Sequence, residues 1–209
     1  MLSFETLTTF FSAAVLLALV PGPDNLFVLT QAAIRGKAAG VAVMLGLCTG
    51  LIGHSTAVAL GVAVIFQTSA VAFTALKYIG AGYLVYLAWQ AFRASVEEIE
   101  NSPDESVTDY WKLYRRGIIM NITNPKVSIF FLAFLPQFVD PARGSVSLQI
   151  LLLGGVFILA TILIFGGIAL LAGWLGERLN RSNTARNFLN KLAGAVFLGL
   201  ALKLATAHR

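Results

Sequence analysis

The chain has 209 residues, 57% of them hydrophobic and 12% charged, with a mean hydropathy of +0.80. Soluble domains carry about a quarter charged residues, so the composition excludes an ordinary soluble globular protein. The net charge of +5 is spread over the connections between apolar segments and forms no basic patch that suggests nucleic acid.

Residues 38–76 and 144–176 contain no Asp, Glu, Lys or Arg. Each run exceeds the roughly 20 residues that a helix needs to cross a bilayer, and lipid-exposed backbone must be helical to satisfy its polar groups. The chain reads as an all-α membrane protein with six transmembrane helices, a single polytopic domain over 1–209.

The first span covers roughly 4–34 and is interrupted at Val20-Pro21-Gly22-Pro23-Asp24-Asn25. A residue before proline avoids helical geometry, so this motif predicts a break at 21–24. Glu5 is the only charge before Pro21, so the basic n-region of a signal peptide is missing and the first helix is expected to stay in place. The second span, roughly 38–66, holds the single Cys48, read as a small packing residue, and His54 deep in the apolar run. Histidine is the residue type suited to proton transfer near neutral pH, so His54 is a candidate proton relay together with Asp24, beside a plain reading as a hydrogen-bonded core histidine. The pairs Gly36/Gly40 and Gly46/Gly50 have the small-xxx-small spacing of close helix packing.

The third span, roughly 70–93, follows Gln67-Thr68-Ser69 and carries Tyr83, Tyr86 and Trp89 about one turn apart, a packing stripe rather than a substrate box. A cytoplasmic loop over about 94–112, rich in charge, reads as a solvated linker. The fourth span, roughly 114–137, is interrupted at Thr123-Asn124-Pro125-Lys126, where Asn124 suits an N-cap and Pro125 a first helical position. The fifth span covers roughly 146–174 and the sixth roughly 188–206.

The basic residues Arg35, Lys37, Arg93, Lys112, Arg115, Arg116, Arg178, Arg181, Arg186 and Lys191 fall in or beside the 1–2, 3–4 and 5–6 connections. The positive-inside rule makes those connections cytoplasmic and turns both termini outward. Pro23 and Pro125 lie 102 residues apart, and Lys77–Leu84 and Lys191–Leu198 both read Lys-x-x-Gly-Ala-x-aromatic-Leu. These matches predict two three-helix repeats, about 1–93 and about 113–209. An odd number of spans inverts the second copy, an architecture found among transporters.

Asp24 and Lys126 then become equivalent positions of opposite charge, 11 residues from Arg35 and 10 from Arg116. A helical rise of about 1.5 Å per residue puts both about 15–16 Å from the cytoplasmic boundary, near the midplane. Free N–H groups are expected near Asp24–Leu26 and Lys126–Ser128, and free carbonyls on the preceding turns. Asp24 suits the positive end of a helix, whereas Lys126 opposes the dipole of its own helix, a local rule broken where charge is costly. A zwitterion offers a carboxylate for Lys126 and an ammonium for Asp24. The candidate binding residues are Pro21, Gly22, Pro23, Asp24, Asn25, Asn124, Pro125 and Lys126, with Asn121, Gln31 and Gln137 as further polar candidates. A structural ion pair between the two helices stays open beside this reading.

Pro21-Gly22-Pro23-Asp24, Asn124-Pro125-Lys126 and Gly80-Ala81-Gly82-Tyr83-Leu84, in a chain of this length and span number, resemble the LysE/RhtB family of bacterial amino-acid exporters. The resemblance covers the whole chain. It implies a multi-pass protein of the bacterial cytoplasmic membrane, a secondary transporter rather than an enzyme, exporting amino acids or derivatives by proton antiport. Family substrates include homoserine, homoserine lactone, threonine, leucine and basic amino acids. The family's first motif also admits Asn where this chain has Asp24, and His54 stands where some relatives carry Asp. The second departure favours neutral or hydroxylated substrates over basic ones. No cofactor is implied, and a homodimer stays open.

Rival readings have less in their favour. Soft-metal transport wants Cys, His or Met clusters, and Cys48 and His54 do not make one. A thiol–disulfide carrier needs a second cysteine, and aspartyl chemistry needs a second carboxylate beside Asp24. Export of another small solute on the same scaffold, or a scaffold without transport, are the remaining alternatives.

Overall fold

The computed structural model describes residues 2–68, 70–93, 108–181 and 183–206, and these are helical apart from short turns. Helix α1 (Phe4–Leu19) starts on Ser3, whose hydroxyl accepts the Thr6 N–H at 3.1 Å, with Glu5 in the first turn. It stops where Val20 turns extended ahead of Pro21. Helix α2 (Pro23–Arg35) opens on a proline and closes on Gly36, whose φ of 87° is strained for any residue with a Cβ. Gly36 is thus a turn glycine rather than a packing one; its predicted partner Gly40 is packed, since a Cβ there would lie 2.7 Å from Ala32 and 2.9 Å from Ala169.

Helices α3 (Lys37–Thr68) and α4 (Ala70–Arg93) follow the second and third predicted spans. Of the expected punctuation at Gln67-Thr68-Ser69, the first two residues end α3; Ser69 and most of the expected loop, residues 94–107, lie outside the described residues. Helix α5 (Tyr110–Thr123) begins four residues ahead of the predicted span, because the Asp109 side chain caps it through Lys112 N at 3.0 Å. The helix resumes as α6 (Pro125–Ile129), then widens into one π-helical stretch over Phe130–Phe134 and tightens into a 3₁₀ turn over Leu135–Phe138. Pro136 has no N–H for the carbonyl one turn back, and the ladder slips so that Leu135 N donates to Phe130 O instead. A further 3₁₀ turn (Pro141–Arg143) leads to α7 (Val146–Arg181) and α8 (Asn183–Thr206).

Two single helices, over Lys37–Gly61 and Val146–Ala172, are long and apolar enough to cross a membrane. So are two bent pairs, α1 with α2 at 62° and α5 with Pro125–Phe138 at 51°. Length and composition therefore give two to four candidate crossings among the described residues, and α4 and α8, 24 residues each, occupy the remaining two predicted positions. Hydroxyls inside these helices are satisfied locally: Thr49, Ser55, Thr56 and Thr161 each donate to the carbonyl four residues back. Large apolar side chains such as Leu60, Leu152, Leu163 and Leu170 face outward, as they do where the solvent is lipid.

Helices α3 and α7 form the centre, α3 packing on α5 and α7 packing on both α1 and α2, while α4 pairs with α8 along one side. Gly46 and Gly50 work as packing glycines. A Cβ on Gly46 would lie 2.1 Å from Tyr114 O, and one on Gly50 would lie 2.7 Å from the Asn121 side chain, so α3 and α5 touch backbone to backbone. Tyr86 and Trp89 point outward from α4 rather than into a core. The interior divides into two apolar clusters. One gathers Phe10, Phe130, Phe134 and Leu204 toward the chain termini. The other gathers Ala32, Ala39, Leu113 and Ala172 toward the basic connections, with Cys48 packed in it.

Candidate functional site

The two helix breaks face each other at the seam between these clusters. Leu17, Val127 and Phe157 from one cluster and Ala18, Leu47 and Phe165 from the other enclose a cavity of about 20 Å³, completed by Asp24, Asn121, Lys126 and Thr161. A cavity of this size holds about one water molecule. It has no room for an amino acid as it stands.

Asp24 is 3% exposed and Lys126 8%, which makes both expensive unless their polar atoms find partners. Asn124 Nδ2 donates to Asp24 Oδ2 at 2.8 Å, and Asn124 Oδ1 accepts the Lys126 N–H at 3.0 Å. One side chain thereby caps its own helix and holds the carboxylate of the opposite break. The Lys126 ammonium reaches back across the seam and donates to Leu17 O at 3.4 Å and Val20 O at 3.3 Å. These carbonyls end α1, where a cation is favoured by the dipole. Lys126 opposes the dipole of its own five-residue helix but complements that of a sixteen-residue one, which removes the conflict expected from sequence. Asn25 Nδ2 takes a third carbonyl of that end, Ala18 O, at 2.7 Å.

The expected free groups are partly occupied. Leu26 N donates to Gly22 O, Ser128 N to Asn124 O and Lys126 N to Asn124 Oδ1, which engages three of the six expected donors, while α2 has no side-chain cap. The free carbonyls exist, and Lys126 and Asn25 occupy them. Among side-chain atoms, acceptor capacity is left over: Asp24 Oδ1, Asn25 Oδ1, Gln31 Oε1 and Asn121 Oδ1 are buried without a hydrogen-bond partner. Asp24 and Lys126 make no direct ion pair among the described residues, although both line the cavity.

The other predicted residues serve the breaks from outside the cavity. Gly22 sits beside the ammonium, since a Cβ there would lie 3.2 Å from Lys126 Nζ. Pro21 is half-buried, and Pro23 and Pro125 are exposed, acting through the chain direction they impose. His54 does not line the cavity. Its Nε2 lies 3.2 Å from Asn121 O, and its ring packs 5.6 Å from Phe131. His54 thus meets the site through Asn121 and, at one remove, through Phe131 packed on Phe157 at 5.2 Å. Gln137 bonds Ala133 O at 3.3 Å, well away from the seam. Thr161, Phe157 and Phe165 of α7 were not among the residues singled out from sequence. Thr161 had one available signal, being the only hydroxyl or amide side chain between Gln149 and Glu177.

An apolar helical bundle whose two interrupted helices meet at buried opposite charges defines a multi-pass membrane protein. The match to known proteins makes this specific: the chain belongs to the LysE type translocator family, matched over residues 15–208. It is 33% identical to an uncharacterised membrane protein of Vibrio cholerae over 194 residues, 93% of each chain. An uncharacterised membrane protein of Pseudomonas aeruginosa is also 33% identical, over 208 residues, 95% of this chain and 94% of the relative. The leucine efflux protein of Salmonella typhimurium is 28% identical over 201 residues, 95% of this chain and 93% of the relative. No solved structure matches the chain.

Proposed function

We propose that this translocator exports amino acids or their derivatives, with neutral or hydroxylated ones such as leucine, threonine and homoserine favoured, across the bacterial cytoplasmic membrane by proton antiport. The observation that carries the reading is the unpartnered Asp24 Oδ1, buried in one cavity with the Lys126 ammonium. The similarity to a leucine efflux protein supports the substrate class. In the loaded state the substrate ammonium binds Asp24 Oδ1, and Lys126 exchanges the α1 carbonyls for the substrate carboxylate. After release outside, a proton taken up by Asp24 neutralises the buried carboxylate for the return step. His54 positions Asn121 against this site through its bond to the Asn121 carbonyl.

The working architecture is six spans in two inverted repeats, over about 1–93 and about 113–209, with the basic connections cytoplasmic and both termini periplasmic. The packing supports it: α3 on α5 and α7 on α1 are equivalent contacts under the repeat, and α3–α7 and α4–α8 pair equivalent helices.

One observation favours a structural second reading: the Lys126 ammonium already has carbonyl partners and joins the two halves. Proteoliposomes loaded with leucine, threonine or homoserine separate the two. Efflux is expected to accelerate when the outside is made acidic, and to be lost in Asp24→Asn and Lys126→Met variants that remain folded and monodisperse. Wild-type rates in both folded variants, or no efflux of any of the three amino acids by the unaltered protein, overturns the proposal.

A further inference from the structure

A second, larger cavity lies at the end of the bundle that holds the start of α1 and the end of α8. It is an open cleft of about 420 Å³ between the exposed Glu5 and Thr9 of α1, the turn from Gln137 to Arg143, Gln149 of α7 and the exposed Lys203 of α8. Its volume falls in the ~300–1,000 Å³ range of small-molecule sites.

The rim of this cavity is fixed by its own bonds. Asp140 Oδ1 accepts the Ala142 N–H at 2.9 Å, and Asp140 Oδ2 pairs with Arg143 Nε at 2.9 Å. Gln149 Nε2 donates to Asp140 O at 2.8 Å and to Gly144 O at 3.2 Å, while its Oε1 accepts the Asp140 N–H at 3.1 Å. Asp140 and Arg143 therefore neutralise each other. Two charges of opposite sign remain, Glu5 and Lys203, and neither makes a direct ion pair among the described residues. The Lys203 ammonium lies 4.8 Å over the Phe138 ring, a cation–π contact that holds its head at the cavity wall.

Phe138 is also the floor. Its ring packs against Phe10 at 5.1 Å and Phe134 at 5.2 Å, and Phe130 joins Phe10 at 5.8 Å and Phe157 at 5.2 Å. Phe157 lines the small cavity at the helix breaks. A continuous column of phenylalanines thus separates the two cavities, with a carboxylate and an ammonium on each side of it. The π-helical stretch that carries Phe130 and Phe134 lies in this column.

We infer that the larger cavity is a second amino-acid site, at the outer mouth, where a zwitterion places its ammonium on Glu5 and its carboxylate on Lys203. A simple anion would leave Glu5 opposed, and a simple cation would leave Lys203 opposed. The site rests on the export reading and adds to it a place where released substrate binds and acts back on efflux from outside.

The test measures efflux of labelled leucine from proteoliposomes of fixed orientation against unlabelled leucine added outside. External leucine is expected to inhibit with saturation. In Glu5→Gln and Lys203→Met the ratio of external half-inhibition to internal half-saturation is expected to rise about 10-fold, the weight of one charge-assisted contact. Lys203→Arg, which keeps the charge, is expected to stay near the unaltered ratio. An unchanged ratio in both neutral variants overturns the outer site, as does equal loss in Lys203→Arg and Lys203→Met, or no external inhibition despite normal efflux. Absence of efflux of any amino acid from the unaltered protein instead overturns the export reading beneath it.

Discussion

The two helix breaks begin from the same element and end differently. At the first, α1 and α2 are separated by the turn at Val20–Gly22, and Gly22 offers no side chain to cap α2. At the second, α5 and α6 are separated by Asn124 alone, which caps α6 with its own side chain. The second break caps its own helix and the first does not. Donation across the seam runs one way, from Asn124 and Lys126 of the second break to Asp24 and the end of α1, and those acceptors in turn satisfy the Asn124 amide and the Lys126 ammonium. Two halves capped this unequally offer the proposed transport cycle one part to release while the other keeps its helix cap.

This asymmetry is open to direct attack. Lys126→Met has the largest expected effect, about 3 kcal/mol of stability, because it strands the Leu17 and Val20 carbonyls and leaves Asp24 without its neighbouring cation. Thermal unfolding in detergent measures it, and an unshifted transition would mean that the first break does not rely on the second.

Asn124→Ala comes next, at about 2 kcal/mol, since it removes a helix cap and a bond to a buried carboxylate together. Asn25→Ala removes one bond, to Ala18 O, and is expected to cost about half as much. Equal losses in parallel melts of the two variants would break the claimed inequality of the two breaks.

Gly46→Ala tests the placement of the second break rather than its chemistry. The added methyl would meet Tyr114 O at 2.1 Å, and forcing α3 from α5 is expected to cost about 1–2 kcal/mol. Its effect on efflux should follow the loss of folded protein; a variant that melts normally yet fails to transport would show that the α3–α5 contact is itself part of the transport cycle.

The smallest effect is expected at Gly22→Ala. The backbone there is extended, with φ of −163°, and the new methyl would lie 3.2 Å from a flexible ammonium. Stability should change by less than about 1 kcal/mol, while half-saturation for internal substrate rises because Lys126 is displaced. A large melting shift would show that the ammonium cannot give way, contrary to the exchange proposed for it.

Much of this fold is legible in order of residues. Charge-free runs placed α3 and α7, and Pro21, Pro23 and Pro125 placed both interruptions within a residue or two, because proline acts on its own backbone and its immediate neighbours. The closeness of Asp24 and Lys126 followed from the matched spacing of the two motifs, and both line one cavity. The start of α5 was read late, since Asp109 lies in polar sequence where a cap signal competes with loop composition. Gly36 and Gly40 look alike in sequence, yet one turns the chain and the other packs, a distinction set by where α2 ends.

The sequence alone determined the class of protein, the two interrupted helices and the identity of the charges, because composition and proline geometry are local properties. Tertiary structure decided what those charges touch. Lys126 finds the carbonyl end of a helix more than a hundred residues away, Asp24 keeps one oxygen without a partner, and His54 bonds Asn121. It also decided that the donors across the seam come from the second break. The reason is that a buried polar group is satisfied by whatever packing brings within about 3 Å, and no spacing along the chain encodes that distance.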